Sequence, residues 1–157
     1  MLSGSVAMSV YVLPRATRDF EFVVNISLKD IDNFVANFGQ GYYCDADSIA
    51  DAIRHTSMFN IIDFASGFKA DFVVLKNEVF RQTEFSRRIK AIFFDSEISI
   101  VTAEDLLLSK LIWIQDLQSN LQMEDIKALS KKIDLDWEYI SYWIKQLRLT
   151  TFNLLQV

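Results

Sequence analysis

The chain has 157 residues, a formal net charge of −5 and an isoelectric point near 4.8, and 51% of its residues are hydrophobic. This length suits one domain with a substantial core, and this composition excludes an intrinsically disordered chain. The acidic balance argues against a surface that coats nucleic acid through general charge, but it is compatible with a local basic groove. No apolar run approaches the roughly 18–20 residues that span a membrane, so we expect no membrane partner.

The single cysteine, Cys44, and the single histidine, His55, exclude an intrachain disulfide and a zinc site built from these residue types. An unpaired cysteine is typical of a reducing compartment. The N-terminus has no basic region followed by an apolar stretch, which is the pattern of a secretion signal. We therefore predict a cytoplasmic protein.

Strand and helix patterns alternate over the first third of the chain. An apolar segment over residues 6–13 ends at Pro14, and alternating polar and apolar residues then predict a strand over 19–26. Ser27 is a typical N-cap residue and predicts a helix over 28–38. A short strand at 42–44 follows, and then a helix that begins at Asp45 or Asp47 and ends near His55.

The next segments favour strands and then helices. The runs 58–64 and 69–75, joined by a turn, predict an antiparallel hairpin. A mixed stretch over 77–88 favours a helix, and short strands are expected at 90–94 and 97–101. Thr102 opens a sequence that resembles a capping box, and the later helix patterns cover 103–117, 122–132 and 136–149.

This order of elements predicts an α+β fold, that is, a mixed sheet flanked by helices and followed by a C-terminal helical segment. We place the α/β body at residues 1–101 and the helical segment at 102–157, packed on the body. The chain has no internal repeat and no low-complexity segment. Its helical segment is rich in tryptophan and tyrosine, so homo-oligomerisation through this segment is an open alternative.

Three carboxylates on two predicted strands carry the functional argument. Asp19 and Glu21 are two residues apart and therefore project from one face of their strand, while the phenylalanines beside them point to the other face. Asp71 lies among apolar neighbours on the strand 69–75. If these two strands lie side by side, three acidic oxygen donors converge, as in sites that hold Mg²⁺ for phosphoryl or nucleotidyl transfer. The alternative is a solvated strand face.

Basic residues lie close to these acids in the sequence. Arg15 and Arg18 flank the acidic strand, and they either contact phosphates or offset the negative charge. Lys69 is two residues from Asp71, and it either contacts a phosphate or forms a structural ion pair with the acids.

Lys110 lies on an otherwise apolar helix face, where an unpaired ammonium group is costly to bury. Its side chain either extends to solvent or finds a partner, and Asp125 on the next helix is a candidate for that partner.

The order of these residues resembles the minimal nucleotidyltransferases of the DNA polymerase β superfamily. The likeness covers residues 2–150, and its motifs are Gly4-Ser5, residues 14–21 and Lys69-Ala70-Asp71, supported by residues 59–63 and 102–111. The chain is most similar to a bacterial group often described only as nucleotidyltransferase-like. The toxin-type nucleotidyltransferases of abortive-infection systems belong to the same wider superfamily.

The resemblance implies a Mg²⁺- or Mn²⁺-dependent transferase that moves a nucleoside monophosphate from a nucleoside triphosphate (NTP) to an acceptor hydroxyl and releases pyrophosphate. It implies that Gly4 and Ser5 hold the triphosphate and that Asp19, Glu21 and Asp71 bind the metal ions. Asp71 would also assist deprotonation of the attacking hydroxyl. The acceptor, whether a small molecule, a tRNA or a protein, is not indicated.

The resemblance also implies that Lys110 reaches the acidic site. Two features depart from the family pattern: the second acid is Glu21 where aspartate is more usual, and the family has a helix and a strand before the Gly-Ser turn. The rival hypothesis is a catalytically silent copy of the fold that serves as a binding or regulatory module, for example in a toxin–antitoxin-like pair.

Overall fold

The computed structural model describes residues 1–17, 19–93 and 95–155. The strands in these ranges are β1 (Leu2–Ser3), β2 (Asp19–Val24), β3 (Tyr42–Tyr43), β4 (Met58–Asp63), β5 (Lys69–Val74), β6 (Ile89–Phe93) and β7 (Ser96–Ile100). The α-helices are α1 (Gly4–Met8), α2 (Ile31–Val35), α3 (Ala46–His55), α4 (Val79–Ser86), α5 (Ala103–Asp116), α6 (Asn120–Ser130) and α7 (Trp137–Gln146). The predicted α+β class is confirmed.

The strands form one mixed sheet with the order β3-β4-β5-β2-β1-β7-β6. Strands β2 and β5 are parallel neighbours, and their register places Asp19 opposite Lys69 and Glu21 opposite Asp71. Strand β1, only two residues long, pairs antiparallel with β2 and parallel with β7. Because β2 and β5 lie side by side in register, their acidic residues share one face of the sheet.

The hairpin predicted from the sequence is present as the antiparallel pair β4–β5. The helix predicted over 28–38 is shorter than expected: a 3₁₀ turn at Leu28–Asp30 precedes α2. Ser27 caps this turn as predicted, and its backbone N–H donates to Asp30 Oδ2 at 2.9 Å. This reciprocal cap stabilises a tight first turn, and the α-helical part is then only five residues long.

The sheet packs against the helices through two apolar clusters. The larger one joins β1, β7 and α1 to helices α5–α7, and its fully buried side chains include Leu2, Ile100, Leu107, Leu111, Ile126 and Ile140. The smaller one lies under α2 and α3 and contains Ile31, Ile49, Ala52, Phe59, Ile61 and Val74. The helices that follow residue 102 therefore share a core with the first strand and the first helix.

The central strands β2 and β5 contribute side chains to both clusters. Phe22 packs on the larger cluster and Phe72 on the smaller one, and their stacked rings lie 5.3 Å apart between centroids. This aromatic packing fixes the two strands that carry the acids.

Among the described residues, no helix has both the length and the hydropathy that crossing a bilayer requires.

Candidate functional site

The acidic face of β2 and β5 contains an ion pair and a buried carboxylate oxygen that has no hydrogen-bond partner. Lys69 Nζ lies 3.0 Å from Asp71 Oδ2, so the ion pair that the sequence offered as one alternative is present. This hydrogen bond raises the pKa of Lys69, and the charges of Asp71, Asp19 and Glu21 add to the effect. The other oxygen, Asp71 Oδ1, is buried and has no hydrogen-bond partner. A buried carboxylate oxygen without a hydrogen-bond partner is uncommon in folded proteins, so its presence here needs an explanation.

Glu21 lies against the start of α1. Ser3 pairs with Glu21 across β1 and β2, so Gly4 follows directly beside the acidic strand. Gly4 has a φ of +64°, and a Cβ added there would lie 1.5 Å from Glu21 Oε2 and 3.1 Å from Glu21 Cβ. Only glycine therefore combines this left-handed backbone with the close approach of the Glu21 side chain.

A second ionic network lies beside the first. Arg15 binds Asp125 with two hydrogen bonds of 2.9 Å, from Nε to Oδ1 and from Nη2 to Oδ2. Its Nη2 also donates to Ser5 Oγ at 2.5 Å. Lys110 Nζ donates to Asp125 Oδ2 and to Gln122 Oε1, each at 2.8 Å. Asp125 is thus the partner of Lys110, and the network ties helices α5 and α6 to the segment before β2.

Asp125 and Lys110 are buried, with 2% and 5% of their surface exposed. Burial acts to raise the pKa of the Asp125 carboxyl, but the hydrogen bonds from Arg15 and Lys110 outweigh it and leave this pKa below its usual value. The hydrogen bond to Asp125 likewise raises the pKa of Arg15. Asp125 and Arg15 are therefore both charged at neutral pH.

A cavity of about 340 Å³ opens beside Glu21, between the sheet and helices α4 and α5. Three polar side chains on its helical wall bind one another. Arg81 Nη1 donates to Glu84 Oε2 at 2.9 Å and to Ser109 Oγ at 2.6 Å, and Ser109 Oγ donates to Glu84 Oε1 at 2.5 Å. Glu84 is 2% exposed, and burial raises its pKa although Arg81 and Ser109 oppose the shift.

Sequence reasoning missed this polar wall. The i,i+3 spacing of Arg81 and Glu84 was a signal for an ion pair on a helix. It did not reveal that Ser109, 25 residues after Glu84, closes the network, because that contact exists only once α4 and α5 pack together.

The residues predicted as a site fall into two groups. Glu21, Asp71 and Lys69 adjoin one another on the sheet, Gly4 lies beside Glu21 at the start of α1, and Asp19 is exposed at the start of β2 opposite Lys69. The other predicted residues, Ser5, Arg15 and Lys110, belong to the Asp125 network. Arg18 lies outside the described residues.

The acids can be tested for their fit to Mg²⁺. In the described part of the chain, no group of three or more His, Cys, Asp or Glu side chains is arranged to hold a metal ion. Mg²⁺, however, commonly uses one or two carboxylates and completes its shell with water and substrate phosphates. The unpaired Asp71 Oδ1 and the neighbouring Glu21 supply that smaller donor set, so the residues fit an ion whose remaining ligands come from a bound substrate.

No protein-family model matches this chain, and no curated protein matches it. These findings therefore assign the chain to no family. A proposal about its function has to be argued from the geometry of the site and from the motifs in the sequence.

Proposed function

We propose that the protein is a Mg²⁺-dependent nucleotidyltransferase that takes a nucleoside monophosphate from an NTP and attaches it to a hydroxyl. One observation carries the proposal. Asp71 Oδ1 is a buried carboxylate oxygen without a partner, on a strand paired in register with the strand of Glu21. Glycine at position 4, with its left-handed backbone, lets that glutamate lie beside the start of α1. Oxygen donors set beside a Gly-Ser turn suit a phosphate–metal complex.

Each residue has a role in this proposal. Glu21 and Asp71 would hold Mg²⁺, or Mn²⁺ in its place, and Asp19 would extend the acidic face towards solvent. When bound, such ions stabilise charge on the attacking and leaving oxygens. Asp71 would accept the proton of the acceptor hydroxyl, whose oxygen bonds to the α-phosphorus as pyrophosphate leaves. Gly4 and Ser5 would lie along the triphosphate.

The basic residues complete the proposed site. Lys69 would leave Asp71 for a substrate phosphate when Mg²⁺ neutralises the carboxylate. Arg15 and Lys110 would add positive potential beside Ser5 while they remain bound to Asp125. The acceptor would be a small molecule, a tRNA or a protein. A cytoplasmic location fits these substrates and the lone Cys44.

The second candidate is a catalytically silent binding or regulatory module with the same architecture. The observation that favours it is the Lys69–Asp71 ion pair, because an internal cation at this position offsets the charge of one acid without a metal. The two candidates differ in whether a metal and a nucleotide together stabilise the folded chain.

Thermal unfolding with Mg²⁺ or Mn²⁺ and each of ATP, GTP, CTP and UTP tests the proposal. A ligand at about 100 times its Kd adds roughly 2.7 kcal/mol to the stability of a chain that binds it only when folded. We expect a metal-dependent rise in Tm that Asp71→Asn abolishes. The matched control is Asp51→Asn, which changes an exposed carboxylate on α3. If no nucleotide raises the Tm of the wild type, nucleotidyl transfer is rejected and the silent module is favoured.

A further inference from the structure

Asn60 on β4 continues the row of acidic residues across the sheet. The antiparallel register of β4 and β5 places Asn60 opposite Asp71, and the parallel register of β5 and β2 places Asp71 opposite Glu21. Neighbouring strands lie about 4.8 Å apart, and directly opposed residues of an antiparallel pair share a face, with Cβ atoms about 4.5–5.5 Å apart. Two carboxylates and one amide therefore stand side by side on three adjacent strands.

The packing of β4 supports this orientation of Asn60. Phe59 and Ile61 are buried in the smaller apolar cluster, under α2 and α3. Asn60 lies between them and points to the other face, because successive side chains of a strand alternate. Met58 shares that face with Asn60, and it lines the cavity together with Glu21.

The Asn60 amide is available to a ligand. Its residue is partly exposed, and within residues 1–17, 19–93 and 95–155 its side chain neither donates nor accepts a hydrogen bond. The neighbouring Asp71 Oδ1 is buried and also lacks a partner, so the amide does not satisfy it. Two unpartnered oxygen atoms, one of a carboxylate and one of an amide, are therefore set beside each other.

This pair of oxygen atoms suits a hard divalent cation. Carboxylate and carbonyl oxygens are the ligands that Mg²⁺ and Mn²⁺ prefer, and in protein kinases an aspartate and an asparagine hold the two Mg²⁺ ions. Lys69 occupies Asp71 Oδ2, so Oδ1 is the oxygen that remains for a cation. An amide oxygen adds a donor without adding negative charge to the acidic face.

We propose that Asn60 is a further ligand of the divalent cation that Asp71 binds. The inference deepens the proposed function and rests on its metal site. Asp71, in the middle of the row, would share one cation with Glu21 and a second with Asn60, as in sites where two ions lie about 3.5–4 Å apart. Gly4 adjoins the Glu21 end of the row. The Asn60 end is therefore the side from which the acceptor hydroxyl would approach.

Electron–nuclear double resonance of Mn²⁺ with the full chain, labelled with ¹³C at the asparagine side-chain carbonyl, tests this ligation. We expect a ¹³C coupling in the wild type, with Mn²⁺ alone or with an NTP, and its loss in Asn60→Ala. The wild-type spectrum decides the question even if the variant fails to fold. Bound Mn²⁺ without this coupling overturns ligation by Asn60 and leaves the metal site in place. Mn²⁺ that stays unbound under every condition overturns both.

Calorimetric titration with Mn²⁺ measures the contribution of the amide to affinity. Losing a side chain that only orients a metal ligand typically costs about 10–100-fold in metal affinity, so we expect Asn60→Ala to weaken Mn²⁺ binding at least about tenfold. Asn60→Asp keeps the size of the side chain and an oxygen donor, and it should bind Mn²⁺ at least as tightly as the wild type.

The matched control is Asn33→Asp, which adds the same charge at an exposed position of α2, on the opposite side of the sheet. It should leave the Mn²⁺ affinity close to that of the wild type, because the effect of a distant surface charge is screened by salt. Equal effects of Asn60→Asp and Asn33→Asp, together with unchanged binding by Asn60→Ala, would overturn the inference.

Discussion

Asp125 is a buried carboxylate and Asp71 is a half-buried one, and the protein supplies them with very different sets of hydrogen-bond partners. Asp125 accepts two hydrogen bonds from Arg15 and one from Lys110, so both of its oxygens have partners. Asp71 has one ion pair, with a lysine whose side chain is about one-third exposed, and its Oδ1 has no partner. The first acid is satisfied by the protein, whereas the second is left incomplete.

This contrast separates a structural network from a site that a ligand can complete. A satisfied buried network fixes the geometry of its surroundings, and removing one member leaves the opposite charge buried without a partner. A half-satisfied acid costs stability in the free protein and gains most from a cation that reaches its free oxygen. We expect substitutions at the two aspartates to differ in the same way.

The largest effect is expected for Asp125→Ala. Its loss leaves the buried ammonium of Lys110 without its carboxylate, and breaking a buried ion pair in this way costs about 3–5 kcal/mol. Denaturant unfolding of the variant measures this cost. The double variant Asp125→Leu with Lys110→Met removes both charges, leaves Arg15 partly exposed, and should recover part of the loss. A single variant as stable as the wild type would contradict a structural role for this network.

The next effect concerns Gly4, and Gly67 provides a matched control. Both glycines have a left-handed φ, +64° and +70°, but a Cβ at position 67 would meet nothing within 4 Å. Gly67→Ala should therefore cost only the backbone penalty of about 1–2 kcal/mol. Gly4→Ala should cost at least as much and should also displace Glu21, so that metal-dependent nucleotide binding is lost. Paired unfolding and nucleotide titrations measure both consequences. If a folded Gly4→Ala protein still bound nucleotide, the Gly4–Glu21 contact would have no role in the nucleotide site.

A smaller effect is expected for Asp71→Asn in the absence of metal. The Lys69–Asp71 pair is partly exposed, and such pairs contribute about 0–1 kcal/mol. Unfolding without ligand should therefore place this variant within about 1 kcal/mol of the wild type. A cost as large as that of Asp125→Ala would show that Asp71 is structural, and the contrast between the two acids would disappear.

The smallest effect is a change with pH. The pKa of Asp125 lies below its usual value of 3.8 in the folded chain, so the folded state binds the proton less readily than the unfolded state. Its contribution to stability is complete above about pH 4 and is lost as the pH falls through the folded pKa. The Tm difference between the wild type and Asp125→Asn should be constant from pH 7 to about pH 5 and should narrow below about pH 4. A Tm difference that widens on acidification would show that folding raises the pKa of Asp125 and does not lower it.

Much of this arrangement was predictable from the sequence because it depends on local periodicity. Alternation with period two placed Asp19 and Glu21 on one face of β2, and the same alternation placed Lys69 and Asp71 together on β5. The cost of burying a lone ammonium predicted a partner for Lys110. Each of these inferences uses residues that are close in the sequence or a charge that must be paired.

The remaining features depend on contacts between distant segments. The Arg81–Glu84–Ser109 wall forms only when α4 meets α5. The approach of Glu21 to Gly4 depends on the register of β1 against β2. No local sequence pattern encodes these contacts. The sequence therefore predicted the acidic residues of β2 and β5 and the Gly4-Ser5 turn, but not the cavity beside them.

The two residues of β1 also have a consequence for the order in which the protein can fold. Leu2 pairs with Phe22 on one side and with Ile100 on the other, so this short strand joins β3-β4-β5-β2 to β7-β6. This strand therefore cannot complete its pairing until β7, about a hundred residues later in the chain, is in place. Contacts of such long sequence separation slow folding. The joining of the two parts of the sheet through β1 and β7 should accordingly be among the late events of folding.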